Sequence, residues 1–171
     1  MPQLVPGQPV PDLTVPTTHH GTWSLAKQRP KHFTMLVFFR GYHCSICMEY
    51  IHDLASRLPT FENMGVNVLA LSCDGERRAR ITQEEWHLGQ LPLGYGLQIA
   101  QAREWGLYIS KAIKSFENDI FCEPGMFVIR PNGKLYLAQV QSHPFSRPNL
   151  GQVVKDFEYI IEHNYPHRGE A

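Results

Sequence analysis

The rhythm of apolar and polar positions along this chain predicts most of its elements. Phe33–Phe39 (FTMLVFF) is a continuous apolar run of strand length. Such a run suits a central strand buried on both faces. Gly41 breaks it. From Cys44 the spacing changes: Met48, Ile51, Leu54, Ala55 and Leu58 recur at three and four. That predicts a helix with one apolar face, ended by Pro59. Gly65 leads into Val66–Ser72 (VNVLALS), a second buried strand. Glu76–Leu88 is charged with periodic apolar positions, as in a surface helix. Leu91–Leu97 suits a short edge strand, because Pro92 cannot donate to a central ladder. Gln98–Trp105 reads as a short helix stopped by Gly106, whereas Leu107–Glu123 reads mostly as loop.

Met126–Ile129 and Lys134–Val140 are strands around Arg130-Pro131-Asn132-Gly133. Asn-Gly between apolar runs is a strong hairpin signal. Asn149–His163 carries Leu150, Val153, Val154, Phe157, Ile160 and Ile161 on one face, the pattern of an amphipathic helix. At the other end, five prolines in the first 16 residues predict an extended arm over residues 1–12. Two short strands, near Leu13–Val15 and Thr22–Leu25, follow around a turn at Thr17–Gly21. Strands joined by helical crossovers pair in parallel, and the late hairpin adds antiparallel strands. The expected architecture is a mixed central sheet covered by helices on both faces.

The 171 residues suit one domain over 1–171, with a disordered tail over about 164–171. Sixteen basic and sixteen acidic residues cancel, which argues against a nucleic-acid or anionic-membrane surface. No apolar run approaches the roughly 20 residues needed to cross a bilayer. The first residues, MPQLVPGQPVPDL, lack the basic and apolar regions of a cleaved signal. The expected home is the cytoplasm, where thiols stay reduced. The four cysteines, Cys44, Cys47, Cys73 and Cys122, are therefore not read as a disulfide framework. The first two form a CxxC.

The CxxC falls at a strand-to-helix junction. Helix N-termini carry unpaired N–H groups and the positive end of the macrodipole, and both stabilise a thiolate. Cys44 is expected to have a lowered pKa. Arg40 and His43 are candidates to add positive potential. Within a regular helix, Cβ atoms three apart lie about 5–6 Å from each other, while a disulfide needs about 3.8 Å. A residue at the N-cap has non-helical φ/ψ and can close that gap. A reversible Cys44–Cys47 bond is thus stereochemically reasonable. Two other readings compete. One is half a zinc site, which needs two more ligands that the isolated Cys73 and Cys122 do not supply as a close pair. The other is a pair of inert core thiols.

Four segments in order carry a resemblance. GQPVPDLTVPTTHHGTWSLA, VFFRGYHCSIC, VNVLALSCD and EPGMFVIRPNGKLY together resemble the thioredoxin fold, in the branch that holds alkyl hydroperoxide reductase and thiol-specific antioxidant proteins (peroxiredoxin-like), specifically its CxxC-bearing members. The resemblance spans about Val5 to His163. It implies a thioredoxin-like, three-layer α/β/α fold with a mixed central sheet and an N-terminal β-hairpin.

The departures from the family pattern shape the functional expectation. Aligned on Phe38-Phe39, Arg40 falls on the family's Pro, Cys44 on its Thr and Cys47 on its peroxidatic Cys. Counting back from Gly133 puts Pro124 where a peroxiredoxin has an Arg; Pro124 instead matches the cis-proline that faces the CxxC in thioredoxins. Ser45-Ile46 replaces Gly-Pro, and His43 replaces the usual Trp. The resemblance therefore implies a thiol–disulfide oxidoreductase on a peroxiredoxin-like frame. Cys44 attacks a substrate disulfide, Cys47 resolves it, and Pro124, if cis, leaves room for an extended substrate. The alternative is a peroxidase, with Cys47 peroxidatic, Cys44 resolving and Arg40 supplying positive charge. A non-catalytic redox sensor is a third reading. Expected partners are protein or small-molecule disulfides and thiols, with hydroperoxides under the alternative. No cofactor, metal, nucleic acid or membrane is implied, and relatives often dimerise.

Other residues receive individual expectations. Parallel strands deliver their C-terminal ends near the active helix, so Cys73 and Cys122 are candidates for thiols near the CxxC; separate buried thiols are the competing reading. His43 is a candidate proton donor or a solvated loop residue. Glu123 is expected to be exposed. His19 and His20 belong to an exposed turn, and Trp23, Trp86 and Trp105 to the packing. Arg77-Arg78-Ala79-Arg80 reads as a salt-bridged solvent face.

Overall fold

The computed structural model describes residues 3–171, so Met1 and Pro2 of the expected arm lie outside the described residues. Its centre is a strand with no exposed side. All six residues of β3, Phe33–Phe38, are buried. Alternate side chains serve opposite faces, as a strand's period of two requires. Phe33, Met35 and Val37 join one core cluster, and Leu36 and Phe38 the other. Strand β4, Val66–Leu71, pairs parallel to β3 and divides its side chains in the same way.

Elements precede and follow these strands in chain order. The hairpin β1 (Thr14–Pro16) and β2 (Thr22–Ser24) comes first. Helix α1, Ser45–Asn63, joins β3 to β4. After β4 come α2 (Glu76–Glu85), β5 (Leu93–Gly94), α3 (Ile99–Glu104), β6 (Ile109–Lys111) and β7 (Ile120–Cys122). Strands β8 (Gly125–Ile129) and β9 (Leu135–Val140) and helix α4 (Leu150–His163) complete the chain. The main sheet has the order β5-β4-β3-β8-β9. Its β3–β4 and β4–β5 pairs are parallel, and its β3–β8 and β8–β9 pairs antiparallel. Helices α1, α2 and α4 supply residues to one core cluster, while α3 and the N-terminal hairpin supply the other. This is the mixed sheet with helices on both faces that the spacing predicted, and it has the three-layer α/β/α, thioredoxin-like form that the resemblance implied.

Three features differ from expectation. The first concerns Pro59, which does not end α1; the helix runs on to Asn63. Pro59 is exposed, so the carbonyl it leaves without an intrahelical partner can face water. Phe61, fully buried two residues later, holds the final turn against α4 through Phe157. Burial of such a side chain is worth about 1.5–3 kcal/mol, comparable to the roughly 3 kcal/mol that an interior proline costs. The second is Met48, assigned to the apolar face but 40% exposed. The buried stripe instead starts at Cys47 and runs through Ile51, Leu54, Leu58 and Phe61.

The third lies in Leu107–Glu123. It is not mostly loop, because β6 and β7 form a two-stranded antiparallel sheet with Ile109 opposite Cys122 and Lys111 opposite Ile120. The connecting loop carries charged groups that fix its geometry: Glu117 accepts from the backbone N–H groups of Ile113 and Lys114. The tail after α4 has no regular element, although the Tyr136 hydroxyl donates to the Tyr165 carbonyl at 2.9 Å.

Candidate active site

The turn between β3 and α1 is built by Gly41. Its φ of 135° lies where L side chains rarely go, and an added Cβ would sit 2.8 Å from an Asp74 carboxylate oxygen. That close approach lets Asp74 Oδ2 accept the Tyr42 backbone N–H at 2.8 Å. Asp74 is itself buried and also receives Asn118 Nδ2 at 2.7 Å. The chain then enters α1 with Cys44 as N-cap, at φ −100° and ψ 102°. The extended conformation turns the Cys44 sulfur back over the first turn, where it accepts the Cys47 backbone N–H at 3.2 Å. Sulfur thus does what the oxygen of a capping Ser or Asp does elsewhere.

The two thiols are electrostatically unlike. The Cys47 thiol beside it, assisted by the Cys47 backbone N–H and by the charges of Arg147 and Arg40, holds the Cys44 pKa down at about 6 against an opposing burial effect. At pH 7 Cys44 is then about nine-tenths ionised, against a few per cent for a free cysteine near 8.5. Cys47 is fully buried, and burial together with its donation to Cys44 pushes its pKa well up. The pair thus favours a thiolate at Cys44 and a neutral thiol at Cys47.

Arg147 is the residue that the sequence did not flag. Its Nη2 lies 2.9 Å from the Cys47 sulfur. Arg147 Nε donates to the Pro144 carbonyl at 2.9 Å, and its guanidinium lies 4.9 Å from the Tyr50 ring centroid. Tyr50 in turn donates to the Pro148 carbonyl at 2.6 Å. The Arg147 Nη1 atom is buried without a hydrogen-bond partner among the described residues. The only sequence sign was an Arg held between two nearby prolines, Pro144 and Pro148, before a helix. Its site role follows from topology: β9 runs antiparallel to β8 and returns the chain to the CxxC end of the sheet, with Val140 opposite Gly125.

The other candidates fall around this pair in different ways. Arg40 lies between two carboxylates, Nε 3.2 Å from Glu123 and Nη2 3.9 Å from Glu117. Glu123, expected at the surface, is buried because Arg40 and the Ser110 hydroxyl, at 2.7 Å, both reach it. His43 packs on Phe121 at 4.7 Å between ring centroids, with both ring nitrogens buried and without hydrogen bonds. Burial, then the Arg40 charge, lower its pKa, so His43 is neutral near pH 7 and brings no positive potential to Cys44. The Glu123–Pro124 bond is trans, not cis. Pro124 borders a cavity of about 10 Å3 with Tyr50, Gln141 and Arg147, and its carbonyl accepts from Gln141 N–H at 3.0 Å.

Cys73 and Cys122 stand at the same end of the sheet as the CxxC. Cys73 follows β4 by two residues, and Cys122 ends β7 just before β8. His19 and His20 are exposed, and the three tryptophans are buried. Of the arginine cluster, Arg80 pairs with Glu76 at 2.8 Å, but Arg78 reaches across to Asn118 and the Phe116 carbonyl. Among the described residues no group of acidic, His and Cys side chains is arranged to hold a metal ion, and no helix is long and apolar enough to cross a membrane. A larger cavity of about 660 Å3 lies between the N-terminal arm and the tail, around Tyr136 and Tyr165, and includes none of the cysteines.

The AhpC/TSA family model matches residues 6–138. Among solved structures, a mutant of peroxiredoxin 6 from Arenicola marina is 15% identical with a TM-score of 0.80, over 94% of this chain and 75% of that one. The peroxidoxin BcpB from Mycobacterium tuberculosis is 16% identical with a TM-score of 0.75, over 92% and 99%. A putative thiol:disulfide interchange protein DsbE from Chlorobium tepidum is 18% identical with a TM-score of 0.67, over 92% and 97%. At these identities the structural matches speak for the fold. No curated protein matches the sequence.

Proposed function

This chain belongs to the AhpC/TSA family of thiol-dependent oxidoreductases, and on that premise we propose that it is a thiol–disulfide oxidoreductase whose redox pair is Cys44 and Cys47. One observation carries the reading. The Cys44 sulfur caps α1, accepts the Cys47 N–H at 3.2 Å and has a pKa of about 6, while its neighbour stays protonated. The Cys44 thiolate attacks one sulfur of a substrate disulfide, and the other sulfur leaves as a thiolate. The product is a mixed disulfide at Cys44. That bond removes the charge that Cys47 had been stabilising. Cys47 now ionises, with Arg147 at 2.9 Å to hold its negative charge. Its thiolate attacks Cys44, expels the reduced substrate and closes the Cys44–Cys47 disulfide. Ser45 and Ile46, both exposed, border the point of approach. Protein and small-molecule disulfides are the proposed substrates.

A second reading has its own support in Arg147. The contact with Cys47, plus an Nη1 with no other partner, suits a peroxidase in which Cys47 attacks a hydroperoxide. Cys47 would become a sulfenic acid as the alcohol leaves, and Cys44 would displace water to form the disulfide. Turnover with a model peptide disulfide and with hydrogen peroxide separates the two. The proposed function predicts disulfide reduction by the wild type, lost in both Cys44→Ser and Cys47→Ser. Rapid sulfenic-acid formation in Cys44→Ser, with no disulfide reduction by the wild type, would favour the peroxidase.

A further inference from the structure

The second pair of cysteines repeats the asymmetry of the first. Strand β3 lies between β4 and β8, and the segments flanking those two strands meet beyond its end. Cys73 leaves β4 there, and Cys122 arrives there on β7. The approach is fixed on both sides. Asn118, four residues before Cys122, donates to Asp74, which adjoins Cys73, at 2.7 Å. The Cys122 thiol lies 3.6 Å from the carbonyl of Phe39, the residue that follows β3. Cys122 belongs to the core cluster on the sheet face opposite Cys47, and Cys73 packs against that cluster. Cys122 is fully buried, whereas Cys73 is partly open to solvent. The Cys122 thiol and backbone N–H lower the Cys73 pKa, and donation to Cys73 together with burial raises that of Cys122. A thiol held toward the thiolate and backed by a fully buried, protonated one is the electrostatic arrangement already seen at Cys44 and Cys47, and here the first sulfur is also the more open to solvent.

We propose that Cys73 and Cys122 form a second redox-active dithiol, which exchanges with low-molecular-weight disulfides through Cys73. The Cys73 thiolate attacks one sulfur of the small disulfide, forming a mixed disulfide and releasing the first thiolate. Cys122 gives up its proton to the thiolate just released and attacks the Cys73 sulfur, releasing the second thiolate, which takes a proton from water. Two protein thiols are oxidised to one disulfide, and one small disulfide becomes two thiols. The narrow exposure of Cys73, between the buried Ser72 and Asp74, favours a small partner over a protein strand.

Glutathione disulfide serves as the probe. The folded wild-type chain is equilibrated at increasing ratios of glutathione disulfide to glutathione, quenched with acid, alkylated and mapped as unreduced peptides. The expected result is a linked Cys73–Cys122 peptide that rises from absent to most of the chain, in the wild type and in the Cys44→Ser/Cys47→Ser double variant alike. Cys122→Ser should stop at one glutathione per chain on Cys73. The map reports each pair separately, so failure of the first does not touch the second. The proposal is overturned if Cys73 and Cys122 remain alkylatable at every ratio, or if wild-type Cys73 stops at the glutathione adduct.

Discussion

At the scale of single residues, the capping sulfur of Cys44 is the point at which the chain's electrostatics become chemistry. A pKa of about 6 means that the thiolate fraction, and with it the rate of alkylation by iodoacetamide, rises with pH and is half-maximal near pH 6. A free cysteine would reach half only near pH 8.5. Peptide-resolved alkylation of the reduced chain across pH 4–9 is therefore expected to show an early plateau at Cys44 and little reaction at the buried Cys47. In the proposed mechanism Arg147 acts in the second chemical step. Replacing Arg147 by Met keeps much of the apolar stem over Tyr50 but removes the group 2.9 Å from the Cys47 sulfur. A hydrogen bond to a charged group is worth about 1.5–3 kcal/mol. Release of the second substrate thiol should slow about 10- to 100-fold, measured by stopped flow, while the first release changes far less.

At the scale of elements, α1 delivers the site at one end and is anchored at the other. The exposed Pro59 contributes no contact that the core needs, and the buried Leu58 and Phe61 around it carry the anchoring. Pro59→Ala is thus expected to raise the denaturation free energy by about 1–3 kcal/mol, read from urea midpoints, without moving the Cys44 alkylation profile at the helix's far end. Most elements were readable because their spacing is set by burial on a regular repeat: Phe33–Phe38, buried on both faces, needs an unbroken apolar run. Two features were not. Continuation past Pro59 depends on Phe61 meeting Phe157, a contact between distant segments. The pairing of β6 with β7 joins Ile109 to Cys122 across a charged loop, and no local periodicity records it.

At the scale of the whole molecule, topology decides what the site contains. The parallel strands end at the CxxC, and the antiparallel hairpin turns back toward it, so residues far apart in sequence converge. The CxxC and its cap were legible because Cys44 and Cys47 act through local geometry. Arg147, 100 residues from Cys47, and the burial of Glu123 by Arg40 were not, since each depends on which strand neighbours which. His43 shows the opposite error: its sequence position suggested positive charge, but burial against Phe121 keeps it neutral. The central claim is the division of labour, in which Cys44 attacks and Cys47 resolves. Trapping the mixed disulfide tests it most directly: each serine variant is reacted with a labelled peptide disulfide and the adduct is located by mass spectrometry. The account predicts a stable peptide adduct on Cys44 in Cys47→Ser and none on Cys47 in Cys44→Ser; an adduct forming readily on Cys47, with Cys44 unreactive, would contradict it.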